Sequence, residues 1–130
     1  MGLQERLKIK ELQSTILPSR SKEIEVICGQ AIPYEVDWDS FANDMEALTF
    51  LDNLSCHRTS MALRMICTGD LAREAVRDGL KLIKLKNVAD QQSMKMTFEN
   101  GVLEMHCAYA LRGDGLHNEG EIKDLLMRKL

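Results

Sequence analysis

Between Met94 and Tyr109 apolar and polar residues alternate on both sides of a central Asn100-Gly101. That dipeptide suits a two-residue hairpin turn, in which both central residues take positive φ. Closing the turn there sets Glu99 opposite Val102, Phe98 opposite Leu103, Met96 opposite Met105 and Met94 opposite Cys107. One face of the hairpin is then wholly apolar, and the other carries Lys95, Thr97, Glu104 and His106. A slip of one residue would scramble both faces, so the pattern itself specifies the register. It predicts a half-covered antiparallel sheet and says nothing about chemistry.

The other elements follow from the same periodicities. Residues 3–17 read as a helix with Ile9, Leu12 and Ile16 on one face, stopped by Pro18. Residues 21–28 fit either a short helix capped by Ser21 and ended by Gly29 or a strand with Ile24, Val26 and Cys28 alternating. The helix is preferred, because a Gly29-Gln30 hairpin would pair Ile24 with Glu35 and Glu25 with Tyr34. In 31–38, Ile32, Tyr34, Val36 and Trp38 alternate with polar positions, as in a half-buried strand, with Pro33 at its start or on a sheet edge. Asn43 and Glu46 have capping-box spacing and open a helix through Leu51; Ser55 opens the next, to about Cys67, apolar nearly all round. Asp70 caps an amphipathic helix with Ala72, Ala75, Val76 and Leu80 inward. A strand from Leu82 to Val88 turns Ile83 and Leu85 in and Lys84 and Lys86 out, and Asn118 with Glu121 caps a last helix through Leu130.

The order α-α-β-α-α-α-β-β-β-α predicts an α+β fold of two layers, with helices packed on one face of a mostly antiparallel sheet. Its last three strands are expected to form a meander, the Tyr34 strand joining elsewhere. The length of 130 residues and a hydrophobic content of 45% fit one domain over 1–130. With 20 acidic against 17 basic residues, the formal charge of −3 gives no support to nucleic-acid binding. No apolar run is long enough for a bilayer, the N-terminus lacks the apolar core of a signal peptide, and Arg6 stands where a myristoylation motif wants Ser or Thr. No membrane association and a cytoplasmic location are the expectation.

Chemistry-bearing residues are few. Cys28, Cys56, Cys67 and Cys107 each lie in or beside an apolar stretch without Cys-x-x-Cys spacing, which reads as reduced and mostly buried thiols. Glu35, Asp37 and Asp39 alternate on one strand face, where Glu104 and His106 could join them around a hard cation; a charged, solvated sheet face explains the same pattern. Cys56-His57 and His106-Cys107 supply zinc ligand types, but adjacent residues diverge on any regular element, so no zinc site is expected. Arg64 shares a helix face with His57 and Met61 and needs a partner or a route to water, or else serves anion recognition. The glycine-rich loop 112–120 is neither a phosphate loop nor a dinucleotide fingerprint and should be mobile.

No catalytic residues, resident metal or cofactor are expected from these features. They point to a non-catalytic module that binds a protein partner or a second copy of itself, with Tyr34, Trp38, His57 and Arg64 as the interface, since aromatics and Arg dominate contact energies. The eight methionines, many for this length, suit either a core filled by flexible side chains or an adaptable binding surface. The competing expectations are a small metal-assisted hydrolase built on Asp37, Asp39, Glu104 and His106, and a small-molecule binder with a pocket between helices and sheet.

Overall fold

The structure, a computed structural model, describes residues 2–130. The chain begins with α1 (Leu3–Glu11), a π-helical turn over Leu12–Ile16 and α2 (Leu17–Cys28), which run on from one another without leaving helical φ/ψ. Pro18 therefore does not stop the helix. A proline ring collides with the carbonyl four residues earlier in a regular helix. Here the Leu17 N–H reaches back to the Leu12 carbonyl, five residues earlier, so Pro18 follows a π-turn and sits in the first turn of α2, where a proline is tolerated. Residues 21–28 are helical, as preferred, but as the continuation of this long helix, with Ile24 and Cys28 buried.

The second helical run has the same build: α3 (Met45–Phe50), a π-helical turn Leu51–Cys56 and α4 (His57–Ile66). Its cap is Asp44, whose carboxylate accepts from the Ala47 N–H at 3.0 Å, one residue beyond the expected Asn43. Ser55 does not begin a new helix; it is buried inside the run, and its carbonyl accepts the Thr59 hydroxyl at 2.9 Å. α4 is amphipathic rather than apolar all round, burying Thr59, Ser60, Ala62, Leu63 and Ile66 while Met61, Arg64 and Met65 stay exposed. α5 (Asp70–Gly79) starts from Gly69 without a side-chain cap, so Asp70 is its first residue rather than its cap. α6 (Glu119–Lys129) has the full Asn118/Glu121 capping box.

The four strands are β1 (Tyr34–Val36), β2 (Leu82–Asn87), β3 (Lys95–Glu99) and β4 (Val102–Cys107), in the order β1-β2-β4-β3. The hairpin register is as the alternation demands: Glu99 with Val102, Phe98 with Leu103, Met96 with Met105. Asn100 and Gly101 take φ of 53° and 81° at its turn, and the ladder ends at Lys95 with His106, short of Met94. The sheet is mixed, however. β1 pairs parallel with β2, β2 parallel with β4, and only β3 with β4 is antiparallel. This corrects the expected mostly antiparallel sheet with a C-terminal meander.

The reason lies in the inward rows. β4 turns three buried side chains inward (Leu103, Met105, Cys107), whereas on β3 Phe98 is buried and Met96 only half-buried. Placing β4 in the interior of the sheet and β3 at the edge covers the more apolar strand on both sides. The loop after β2 crosses over the end of β4 to reach β3, and the Val88 N–H donates to the Cys107 carbonyl on the way at 2.9 Å.

The inward residues of all four strands join Leu12, Ile24, Leu48, Leu63, Val76 and Ile122 from the helices in one contiguous core. The outward residues Glu35, Lys84, Lys86, Thr97, Glu104 and His106 are exposed or half-buried, so one face of the sheet is open. No helix among the described residues is long and apolar enough to cross a membrane.

The first part of the glycine-rich segment 112–120 is not irregular loop but belongs to a run of 3₁₀ turns. Tyr109–Gly115 forms 3₁₀ turns, Tyr109 is fully buried, and the Ala108 N–H donates to the Gly115 carbonyl at 2.7 Å. A Cβ at Gly115 would collide with the carbonyl of Ala108, a backbone group that cannot step aside. Gly115→Ala is expected to cost about 1–3 kcal/mol by overpacking, read as a lowered midpoint in urea denaturation with an unchanged m-value.

Candidate functional site

β1 stands at one edge of the sheet and pairs only with β2. The Ile83 N–H donates to the Pro33 carbonyl at 3.0 Å and the Asp37 N–H to the Leu85 carbonyl at 2.9 Å, so alternate residues 33, 35 and 37 address β2. By the alternation of a strand, the N–H and C=O groups of Tyr34 and Val36 point the other way, out of the sheet. Beside that edge lies a groove of about 490 Å³. Gln13, Leu17, Pro18 and Ser21 form its helical wall, and Pro33, Tyr34, Val36 and Trp38 its strand wall, with Glu35 at the rim. The volume is within the roughly 300–1,000 Å³ usual for a recognition pocket.

Each wall is held from behind. Trp38 opens a 3₁₀ turn, Trp38–Phe41, capped by Asp37, whose carboxylate accepts from the Ser40 N–H at 3.3 Å. The Ser40 hydroxyl donates to the Asp37 carbonyl at 2.6 Å and accepts from the Asn87 N–H at 2.9 Å, tying the turn to the end of β2. Trp38 rests near Phe41, ring centroids 6.3 Å apart, and Phe41 on the buried Tyr109 at 5.2 Å. The Tyr34 side chain runs inward, and its hydroxyl ends, fully buried, near Cys56 and Thr59 without a hydrogen bond. Burial pushes its pKa well above the usual phenol value, and the neighbouring Cys56 adds to that.

On the helical wall, Arg20 of α2 donates to Asp52 at 2.7 Å and to Glu23 at 3.1 Å. Glu23 in turn accepts from the Ser60 hydroxyl at 2.5 Å and from Arg64 at 3.3 Å. This network fastens α2 to the second helical run. Burial alone would raise the Glu23 pKa, but the bonds from Ser60 and Arg20 and the Arg64 charge hold it below the ordinary carboxylate value.

Of the four residues expected at an interface, Tyr34 and Trp38 meet in this groove. His57 and Arg64 share the outer face of α4, where both are exposed, and neither lines it; Arg64 reaches water directly and also pairs with Glu23 at 3.3 Å. The sequence reading missed Gln13, Leu17 and Pro18 because Pro18 read as a helix stop. The buried residues Leu12, Leu17, Ile24 and Cys28 carry the mark of the π-turn, a first gap of five residues, but the apolar Ile16 four residues after Leu12 hides it in the sequence.

The open sheet face carries a second, smaller pocket of about 330 Å³, lined by residues that include Glu35, Asp37, Lys84, Lys86, Glu104 and His106. His106 Nε2 lies 2.6 Å from Glu104 Oε2, and this hydrogen bond draws the Glu104 pKa down. Asp39 falls in the 3₁₀ turn and does not line the pocket. Among the described residues no three His, Cys, Asp or Glu side chains converge as a metal site. His106 faces the open side while Cys107 faces the core, and Cys56 is buried while His57 is exposed, so neither dipeptide presents both its side chains to one ion.

No family model, curated protein or solved structure matches the chain.

Two outcomes follow from the groove walls. Tyr34→Phe removes a buried hydroxyl that has no partner, so thermal denaturation should show unchanged stability or a gain of up to about 1 kcal/mol. The Glu23 pKa is depressed in the folded state, so its contribution is present above the ordinary carboxylate range and is lost as pH falls through the folded value. Glu23→Gln should therefore lower the Tm by a few degrees at neutral pH and make the acid side of the Tm profile shallower; an acid limb parallel to that of the wild type would contradict this.

Proposed function

We propose that this chain is a non-catalytic protein-binding module that takes an extended peptide segment into the groove along β1, where the peptide adds a fifth strand to the sheet. The observation that carries the reading is the outward pair of backbone groups at Tyr34 and Val36 facing a groove with apolar walls. Strand addition takes affinity from such main-chain hydrogen bonds and specificity from pockets for alternate side chains. With three residues in β1 and Pro33 just before it, the edge offers only a short pairing. The side-chain pockets at Leu17, Pro18 and Trp38 must supply much of the energy, and micromolar affinity is the natural range.

The charges on the open face describe the partner. Across β1, β2 and β4 the register sets Glu35 beside Lys84 and Lys84 beside Glu104, an acid-base-acid row. Just past the end of β1, Asp37 lines the same open-face pocket as Lys86. A strand added outside β1 lies directly against Glu35, with Asp37 just beyond the strand end, so the row continues with a base. The preferred segment alternates apolar side chains, which enter the groove, with Lys or Arg on the open face. A second copy pairing through its own β1 would set Glu35 and Asp37 against like charges, which is unfavourable for directly opposed strand residues. The charge rows thus favour a different chain over self-association at this edge.

Trp38 is the only tryptophan, so its emission reports on the groove directly. Titration of a library of alternating apolar/basic peptides should yield ligands that shift Trp38 emission and move the amide resonances of residues 34–38 and 13–21. Gln13→Arg, an exposed wall position, and Glu35→Lys should each weaken binding about tenfold or more, while His57→Ala and Arg64→Ala leave it unchanged. Resonance shifts confined to α4, or no ligand in the library, would sink the proposal.

A further inference from the structure

α2 and α4 end at the same place, and each ends on a cysteine: Cys28 is the last residue of α2, and Cys67 directly follows α4. Their sulfurs are 3.1 Å apart, nearer than two sulfur atoms sit in ordinary van der Waals contact. Cys28 is wholly buried and Cys67 half-buried, so of the two it is Cys67 that a small solute can reach. Cys56 and Cys107 are both buried.

We propose that Cys28 and Cys67 form a reversible redox site, oxidised by a small peroxide to a disulfide that clamps the end of α2 to the end of α4.

The chemistry closes in two steps. The Cys67 sulfur attacks hydrogen peroxide, the O–O bond breaks, and Cys67 becomes a sulfenic acid with release of one water. The Cys28 sulfur then attacks the Cys67 sulfur, the S–O bond breaks, and the departing hydroxide takes the Cys28 proton and leaves as a second water. Two thiols and one peroxide give one disulfide and two waters, with the peroxide as the two-electron acceptor. A resolving thiol already in contact is the arrangement that diverts a sulfenic acid from further oxidation. Burial and the adjoining Cys67 thiol raise the Cys28 pKa, against a small opposing pull from the Arg73 charge, so Cys28 is suited to resolving rather than to the first attack. Reduction by a dithiol returns the open pair.

The two cysteines are 39 positions apart, so the crosslink closes a long loop. Closing a loop of that size restricts the unfolded chain strongly, and in a domain of this length the gain corresponds to a Tm increase of about 10 °C.

The test uses the full chain, treated with equimolar hydrogen peroxide, unfolded, alkylated and digested. The expected result is loss of two of the four thiols and a mass decrease of about 2 Da. A crosslinked peptide should join Cys28 to Cys67, and the Tm should rise and fall back with dithiothreitol. Cys67→Ser should abolish the crosslink, and Cys28→Ser should leave a sulfenic acid on Cys67 that dimedone traps. Four alkylatable thiols after peroxide, a crosslink through Cys56 or Cys107, or sulfinic acid on Cys67 of the unsubstituted chain would each overturn the proposal. The peptide map of the unsubstituted protein decides even if a serine variant fails to fold.

Discussion

β4 is paired along its length on both sides, parallel to β2 on one and antiparallel to β3 on the other. The rest of the sheet depends on that position. With β4 inside, β3 must take the outer edge, and β2 is left with one free side, which β1 fills from across the helical segment. β1 thereby becomes the opposite edge, and its unpaired groups look toward the π-turn and the start of α2. The inward row Ile83, Leu103, Phe98 and the outward row Lys84, Glu104, Thr97 are consequences of the same two registers. Exchanging β4 and β3 would put Leu103, Met105 and Cys107 on an edge and break the charge rows.

How far this was readable in the chain depends on whether the decisive contact is local. The β3–β4 register was legible because Asn100-Gly101 fixes the turn and the alternation on either side admits one pairing. The partner of β2 was not. Its Ile83 and Leu85 satisfy a parallel neighbour as well as an antiparallel one, and the choice rests on which strand of the hairpin buries more, a property of the assembled sheet. Pro18 failed for a related reason: the local rule is sound for an α-helix, and the chain evades it by changing the helix type over Leu12–Ile16. Ser55 is the same case in the second helical run, where a residue that caps helices well is carried inside a π-turn.

The candidate site divides along that line too. Tyr34, Val36 and the half-buried Trp38 were legible from the alternation of a single strand. The acidic alternation misled at Asp39, because Asp37 ends the strand by capping the turn that Trp38 opens. The helical wall of the groove was beyond reach, since Leu17 and Pro18 meet β1 only once the long helix has been carried past the proline. The Cys28–Cys67 contact is likewise tertiary: nothing in a spacing of 39 positions announces that two helices end together.

These features converge on α2, which serves as groove wall, as partner of the Asp52–Arg20–Glu23 network and as carrier of Cys28. A recognition groove loses affinity to whatever ordering it must complete on binding, so a wall fastened before the partner arrives lowers that cost. The network holds α2 near its first turns, beside Leu17 and Ser21. The thiol pair sits at its far end, where α4 also stops. One fastening is electrostatic and weakens in acid; the other is a contact between two sulfurs that becomes covalent only when oxidised. Because both grip the same rigid helix, a change at the cysteine end cannot swing the wall freely at the groove end while Arg20 and Asp52 remain paired. On the two proposals above, oxidation acts on the stability of the domain more than on the width of the groove, so the proposed redox chemistry and the proposed partner binding are separable.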